Sequence, residues 1–154
     1  MTGSTQPPQD AEAAERERLL GLVRAASVPF WDHVGITAEE ESAEVGHVRL
    51  NMPMRPELGT RFTDVMHGGA ISTLIDAAAA TCSSTLQRAG DEWSGLVTTD
   101  LNVSYLNAAR SDVVAEARAI RSGRTIAFIQ VDVHDAAGTH VASGRVTYLI
   151  LRPR

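Results

Sequence analysis

The sequence predicts an α+β fold, a curved antiparallel sheet of five or six strands wrapped around one long central helix. Two observations carry this. From Gly69 to about Arg88 the chain is rich in Ala, Leu and Ile, and Ala70, Ile71, Leu74, Ile75, Ala77, Ala78 and Ala79 cover every face of a helix. A helix that is apolar all round must be enclosed by other structure. After it come four strand-like segments separated by short turns, which imply an antiparallel meander. The 154 residues suit a single domain with a real core, and 44% apolar and 21% charged residues are ordinary for a globular protein.

In chain order, residues 1–10 are polar, with two Pro, and read as a disordered tail ahead of a single domain over 11–154. Ala11 to about Ala26 is helical, with Leu19, Leu20, Leu22 and Val23 as an apolar stripe behind a solvated Glu-Arg-Glu-Arg run. Pro29, Phe30 and Trp31 make a turn, and both aromatics are read as packing residues. Gly35–Met54 alternates loosely and gives one or two strands, and Pro53, Pro56 and Gly59 open a loop to Met66. The long helix follows, closed by Gly90 as its C-terminal cap. The four later strands are about Gly95–Asn107, Asp112–Arg121, Arg124–Asp135 and His140–Leu151, the second and third joined by Ser122-Gly123 as a two-residue hairpin.

One residue breaks the apolar pattern of the long helix. Asp76 sits mid-helix, where a carboxylate is a poor helix former and costly to bury without a partner. Either it points out through a gap into solvent, or a reacting carboxylate is held there. His67-Gly68-Gly69 at the helix start favours the second: uncovered backbone N–H groups at the positive end of a helix suit an anion or a developing oxyanion. Asp76 lies nine residues after His67, about 900° of rotation and roughly 13 Å of rise. One small reacting group cannot touch both within one chain, so a shared site calls for a second copy.

The totals exclude several classes. A net charge of −5 without a basic stripe argues against a general nucleic-acid binder. The lone Cys82 excludes an internal disulfide, fits a reducing compartment and reads as a small core residue. A polar, acidic N-terminus and the lack of an 18-residue apolar run give no membrane partner and a cytoplasmic expectation. The five His show no metal-ligand spacing, and the chemistry needs no cofactor. Arg110, Arg121, Arg124 and Arg145 could each meet a phosphate, or be ordinary surface residues.

His67-Gly68-Gly69, Asp76, the strand from Val97 to Tyr105, the hairpin from Arg121 to Phe128 and the closing Ala142–Thr147 together resemble the PaaI-like hotdog-fold acyl-CoA thioesterases, over roughly Val45 to Leu151. The resemblance implies Asp76 as general base or nucleophile, with the partner chain's Gly68 N–H polarising the thioester oxygen. It implies that His67 orients the loop or binds near the carbonyl, and that Thr98 takes a hydroxyl position that helps hold the attacking water in some relatives. Coenzyme A would lie near Gly69, Arg61 and the run Arg121, Ser122, Gly123, Arg124, in a homodimer or a dimer of dimers. Relatives carry an Asn about six residues before the His, and here Arg61 stands there. Two alternatives stay open: an enoyl-thioester hydratase or dehydratase, and an acyl-CoA-binding protein without turnover, for which Arg61 is the motive.

Overall fold

The computed structural model describes residues 9–154. Three helices and six strands follow one another as α1 Gln9–Ala25, α2 Pro29–Val34, β1 Thr37–Ala38, β2 His47–Met52, α3 Gly68–Ser84, β3 Gly95–Tyr105, β4 Val113–Ser122, β5 Ile126–Asp135 and β6 His140–Leu151. Of the tail expected over 1–10, residues 1–8 lie outside the described residues, while Gln9 and Asp10 open α1. Pro29 starts a short helix rather than a turn, with Pro in its first turn where the missing N–H costs nothing. Trp31 packs against the core, but Phe30 is 57% exposed and does not.

All six strands form one antiparallel sheet in the order β1-β2-β4-β5-β6-β3. The meander expectation therefore holds for β4, β5 and β6 only. β3 lies at the far edge and pairs with β6, the last strand of the chain. The hairpin between β4 and β5 is also longer than expected. β4 ends at Ser122 and β5 begins at Ile126, so Gly123, Arg124 and Thr125 form the loop, closed by the Gly123 N–H on the Ile126 carbonyl (2.8 Å).

The concave face of the sheet encloses α3. Leu74, Ile75, Ala77, Ala78, Ala79 and Cys82 are fully buried, against Val48, Leu50, Ala115, Ala117, Ile129, Val131 and Val146. The helix approaches closely at Gly144 on β6, where a Cβ would stand 2.6 Å from Cγ2 of Ile75. The helix is shorter than its composition suggests. It stops at Ser84, six residues before Gly90, because hydroxyl side chains take its last carbonyls: Ser84 bonds the Thr81 carbonyl (2.7 Å) and Thr85 that of Cys82 (2.6 Å). Gly90 instead serves the following turn, with φ +85°.

α1 and α2 lie over the open side of α3. Arg16 reaches the carbonyls of Ala43, Glu40 (2.7 Å) and Glu41 (3.1 Å), Arg18 the carbonyl of Gln87 (2.8 Å), and Arg24 grips both carboxylate oxygens of Glu40 (2.9 and 2.7 Å). These contacts fix α1 as one wall of a cavity above Asp76.

Candidate active site

Asp76 does not stand free in solvent. It is half-buried, and its Oδ1 accepts two hydroxyl hydrogen bonds, from Thr98 Oγ1 (2.9 Å) and Tyr148 Oη (2.6 Å). Both donors come from the sheet, where Thr98 of β3 and Tyr148 of β6 are direct cross-strand partners. Tyr148 is almost fully buried (3% exposed), and burial, followed by the hydrogen bond to Asp76, pushes its phenol well above the usual range. It stays a neutral donor at any working pH.

A bulge makes this pairing possible. The register of β3 on β6 shifts between Thr98 and Asp100, leaving Thr99 as the extra residue. Before the bulge Leu96 and Thr98 face the helix opposite Ile150 and Tyr148; after it Leu101, Val103 and Tyr105 do so opposite Val146, Gly144 and Ala142. Strict alternation would put Thr98 on the same face as Asp100 and Asn102, away from Asp76.

The cavity beside Asp76 measures about 520 Å³ and is mostly apolar, lined by Leu22, Ala25, Ala26 and Val28 of the α1–α2 elbow, Trp31, Ala80, Trp93, Leu96, Thr98 and Tyr148. Gln87 and Trp93 also line a second cavity of about 580 Å³. Four Arg (Arg18, Arg88, Arg124 and Arg152) face two carboxylates (Glu15 and Asp91) there, beside Ser122 and Gly123. The structure thus brings Ser122, Gly123 and Arg124 together but not Arg121. The β4 register shift after Ala119 sets Arg121 opposite Phe128, on the outer face of the sheet.

The helix start forms a separate group. His67 caps α3, its Nδ1 accepting the Gly69 N–H (2.8 Å), which places the ring proton on Nε2. Gly69 has therefore spent its N–H within the chain, whereas the Gly68 N–H has no acceptor among the described residues. Tyr105 Oη bonds the Gly68 carbonyl (3.0 Å) and lies 2.5 Å from Ser72 Oγ, so its ring covers Gly68 closely. Gly68 and Tyr105 line a different cavity from Asp76. Arg61, exposed on the preceding loop, lies over the Phe62 ring at 5.1 Å and is not among the residues lining the Asp76 cavity. Cys82 is inert: burial pushes its thiol up to about 12. Among the described residues no three His, Cys, Asp or Glu sit together as a metal site.

A carboxylate held by two hydroxyls at an apolar cavity can serve as base or nucleophile toward an acyl carbon, and an open N–H stands apart from it at the start of the same helix. The profile of the thioesterase superfamily matches residues 63–142, just over half of the chain and the stretch that carries both groups. The chain belongs to the thioesterase superfamily. The thioesterase is 31% identical to human acyl-coenzyme A thioesterase 13, with 96% of each chain covered. It is 29% identical to the medium/long-chain acyl-CoA thioesterase YigI of Escherichia coli, over 90% of this chain and 96% of that one. A thioesterase family protein from Silicibacter pomeroyi superposes with a TM-score of 0.78 at 23% identity, covering 88% of this chain and 99% of that one, so the fold is the hotdog. The chain is a thioester hydrolase.

Sequence reasoning missed Tyr148, Trp31 and Trp93 as site residues. Tyr148 had a readable signal: a hydroxyl at an inward position of an apolar strand, between Val146 and Ile150, needs a buried partner.

Proposed function

We propose that the chain hydrolyses acyl-CoA thioesters at a site assembled from two copies, Asp76 from one and the Gly68 N–H from the other. The observation that carries this reading is Asp76 itself, held by Thr98 and Tyr148 at the cavity wall with its second oxygen unpartnered among the described residues. As general base, Asp76 takes a proton from water while the water oxygen bonds to the thioester carbon. The C–S bond then breaks, the thiolate leaves and recovers that proton, giving acid and thiol. As nucleophile, the same carboxylate first forms a mixed anhydride with loss of the thiolate, and water then cleaves the anhydride.

Two features support the second copy. Eight residues of helix separate Gly68 from Asp76, roughly 12 Å of rise. In addition, β3 is an edge strand of 11 residues without Pro, its outer backbone unpaired among the described residues, with Val97, Leu101 and Tyr105 exposed. Such an edge is suited to continuing the sheet into another copy.

The cavity pair suits coenzyme A. Phosphates would sit with Arg88 and Arg124, which have no side-chain partner among the described residues, and the arm would pass Gln87 and Trp93 to reach Asp76. Among the described residues no helix is long and apolar enough to cross a membrane, and we place the chain in the cytoplasm.

Asp76→Asn tests the reading. It keeps size and removes proton-accepting power, so kcat for thiol release from acyl-CoA should fall by at least about 10²-fold with binding retained. A folded variant that cleaves at the wild-type rate overturns the role of Asp76. Water addition to an enoyl-CoA without thiol release would make the enzyme a hydratase.

A further inference from the structure

From the two hydroxyls that converge on one carboxylate oxygen, we infer that Tyr148 is a positioning residue that selects Oδ2 of Asp76 as the reacting oxygen. The inference rests on the catalytic role proposed for Asp76. A free carboxylate presents two equivalent oxygens and turns about its Cβ–Cγ bond. Here Oδ1 holds Tyr148 at 2.6 Å, within the range of a charge-assisted O–H···O⁻ bond, and Thr98 at 2.9 Å. Tyr148 Oη also lies 3.2 Å from the backbone carbonyl of Asp76, which can only share the same phenolic proton, so the short bond to Oδ1 is the one that holds the carboxylate. Oδ2 has no partner among the described residues, and Asp76 lines the cavity.

Tyr148 is the firmer of the two clamps. Its ring is buried among core side chains, and β6 is a central strand paired on both sides, whereas Thr98 rides on the edge strand beside the bulge. Thr98 keeps lone pairs to accept from a water next to the carboxylate, so one hydroxyl can orient both base and water. Tyr148 lines the cavity, and Tyr148→Phe keeps the ring that does so, so loss of the hydroxyl alone should be felt in turnover rather than in binding.

Tyr148→Phe removes one oxygen and keeps the ring. Expected is a fall in kcat of about 10- to 100-fold with KM within about threefold, the size typical of one hydrogen bond to a charged group. A donor to a carboxylate favours its charged form, so losing it should move the acid limb of the kcat–pH profile upward. Thr98→Ala should act in the same direction, and the double variant should fall short of the product of the two effects, since both groups fix one oxygen.

If Tyr148→Phe folds poorly, 3-fluorotyrosine placed at 148 keeps the oxygen and makes the phenol a stronger donor, and the acid limb should then move down. An unchanged kcat and acid limb in Tyr148→Phe, or an unmoved limb with fluorotyrosine, overturns the inference while leaving the role of Asp76 standing. A fully active Asp76→Asn removes both. A lower melting temperature with an unmoved acid limb makes Tyr148 a packing residue and also overturns it.

Discussion

An added Cβ at Gly69 would stand 2.9 Å from Nδ1 of His67, the atom that accepts the Gly69 N–H. Replacing a helical Gly by Ala ordinarily stabilises by up to about 1 kcal/mol. Here the methyl must expel the imidazole that caps the helix, and loss of a cap costs about 1 kcal/mol or more. Gly69→Ala should therefore lower the melting temperature or leave it level, and a clear rise would mean that His67 holds nothing. Asp76 and His67-Gly68-Gly69 were legible because each breaks the local pattern, a carboxylate in an apolar helix and a glycine pair at its start. Tyr148 was legible only in part: an inward hydroxyl on an apolar strand signals a buried partner, but that the partner is Asp76, 2.6 Å away, comes from the tertiary structure.

At the scale of elements, the seating of α3 on the sheet is set at Gly144. A methyl there would meet Cγ2 of Ile75 at 2.6 Å, with fully buried Ile75 unable to yield. Gly144→Ala should cost about 1–3 kcal/mol as overpacking. Because Ile75 precedes Asp76, the same shove should displace the carboxylate and lower kcat. Combined with Ile75→Ala, the total loss should be smaller than the sum of the two single losses, a coupling of at least about 0.5 kcal/mol by double-mutant cycle. Strictly additive losses in chemical denaturation would show that helix and strand do not press on each other there. Strand positions were legible from alternation and turn residues, within a residue or two for the last four. The bulges at Thr99 and after Ala119 were not, since an extra residue changes pairing and leaves no compositional mark.

At the scale of the whole molecule, the proposed site exists only between copies, and subunit mixing tests this directly. Gly68→Pro removes the open N–H at a first helical position, where the backbone suits Pro and His67 already has the extended conformation (φ −66°, ψ 137°) that precedes it readily, with the Tyr105 ring, 3.2 Å from an added Cβ, giving way slightly. Gly68→Pro and Asp76→Asn should each be nearly inactive alone. Refolded together, half of the dimers are mixed and each holds one intact site, so activity should return to about a quarter of wild type. No recovery, with mixed dimers verified by native mass spectrometry, would place both groups in one subunit's site. A charge on the β3 edge, Leu101→Lys, should give monomers without activity, checked by light scattering; active monomers would contradict the composite site.

The sequence by itself determined the helix that must be enclosed, the strands that enclose it, the carboxylate out of place and the spacing that separates it from the glycine pair. These are properties of neighbours in the chain, where periodicity and composition act directly. Tertiary structure decided the strand order, with β3 carried to the edge beside β6, and the parity change at Thr99 that turns Thr98 inward. It also decided the meeting of Thr98 and Tyr148, fifty residues apart, on one oxygen of Asp76. Those contacts join residues distant in sequence, and their geometry follows from how the sheet curls onto the helix, which no local pattern encodes.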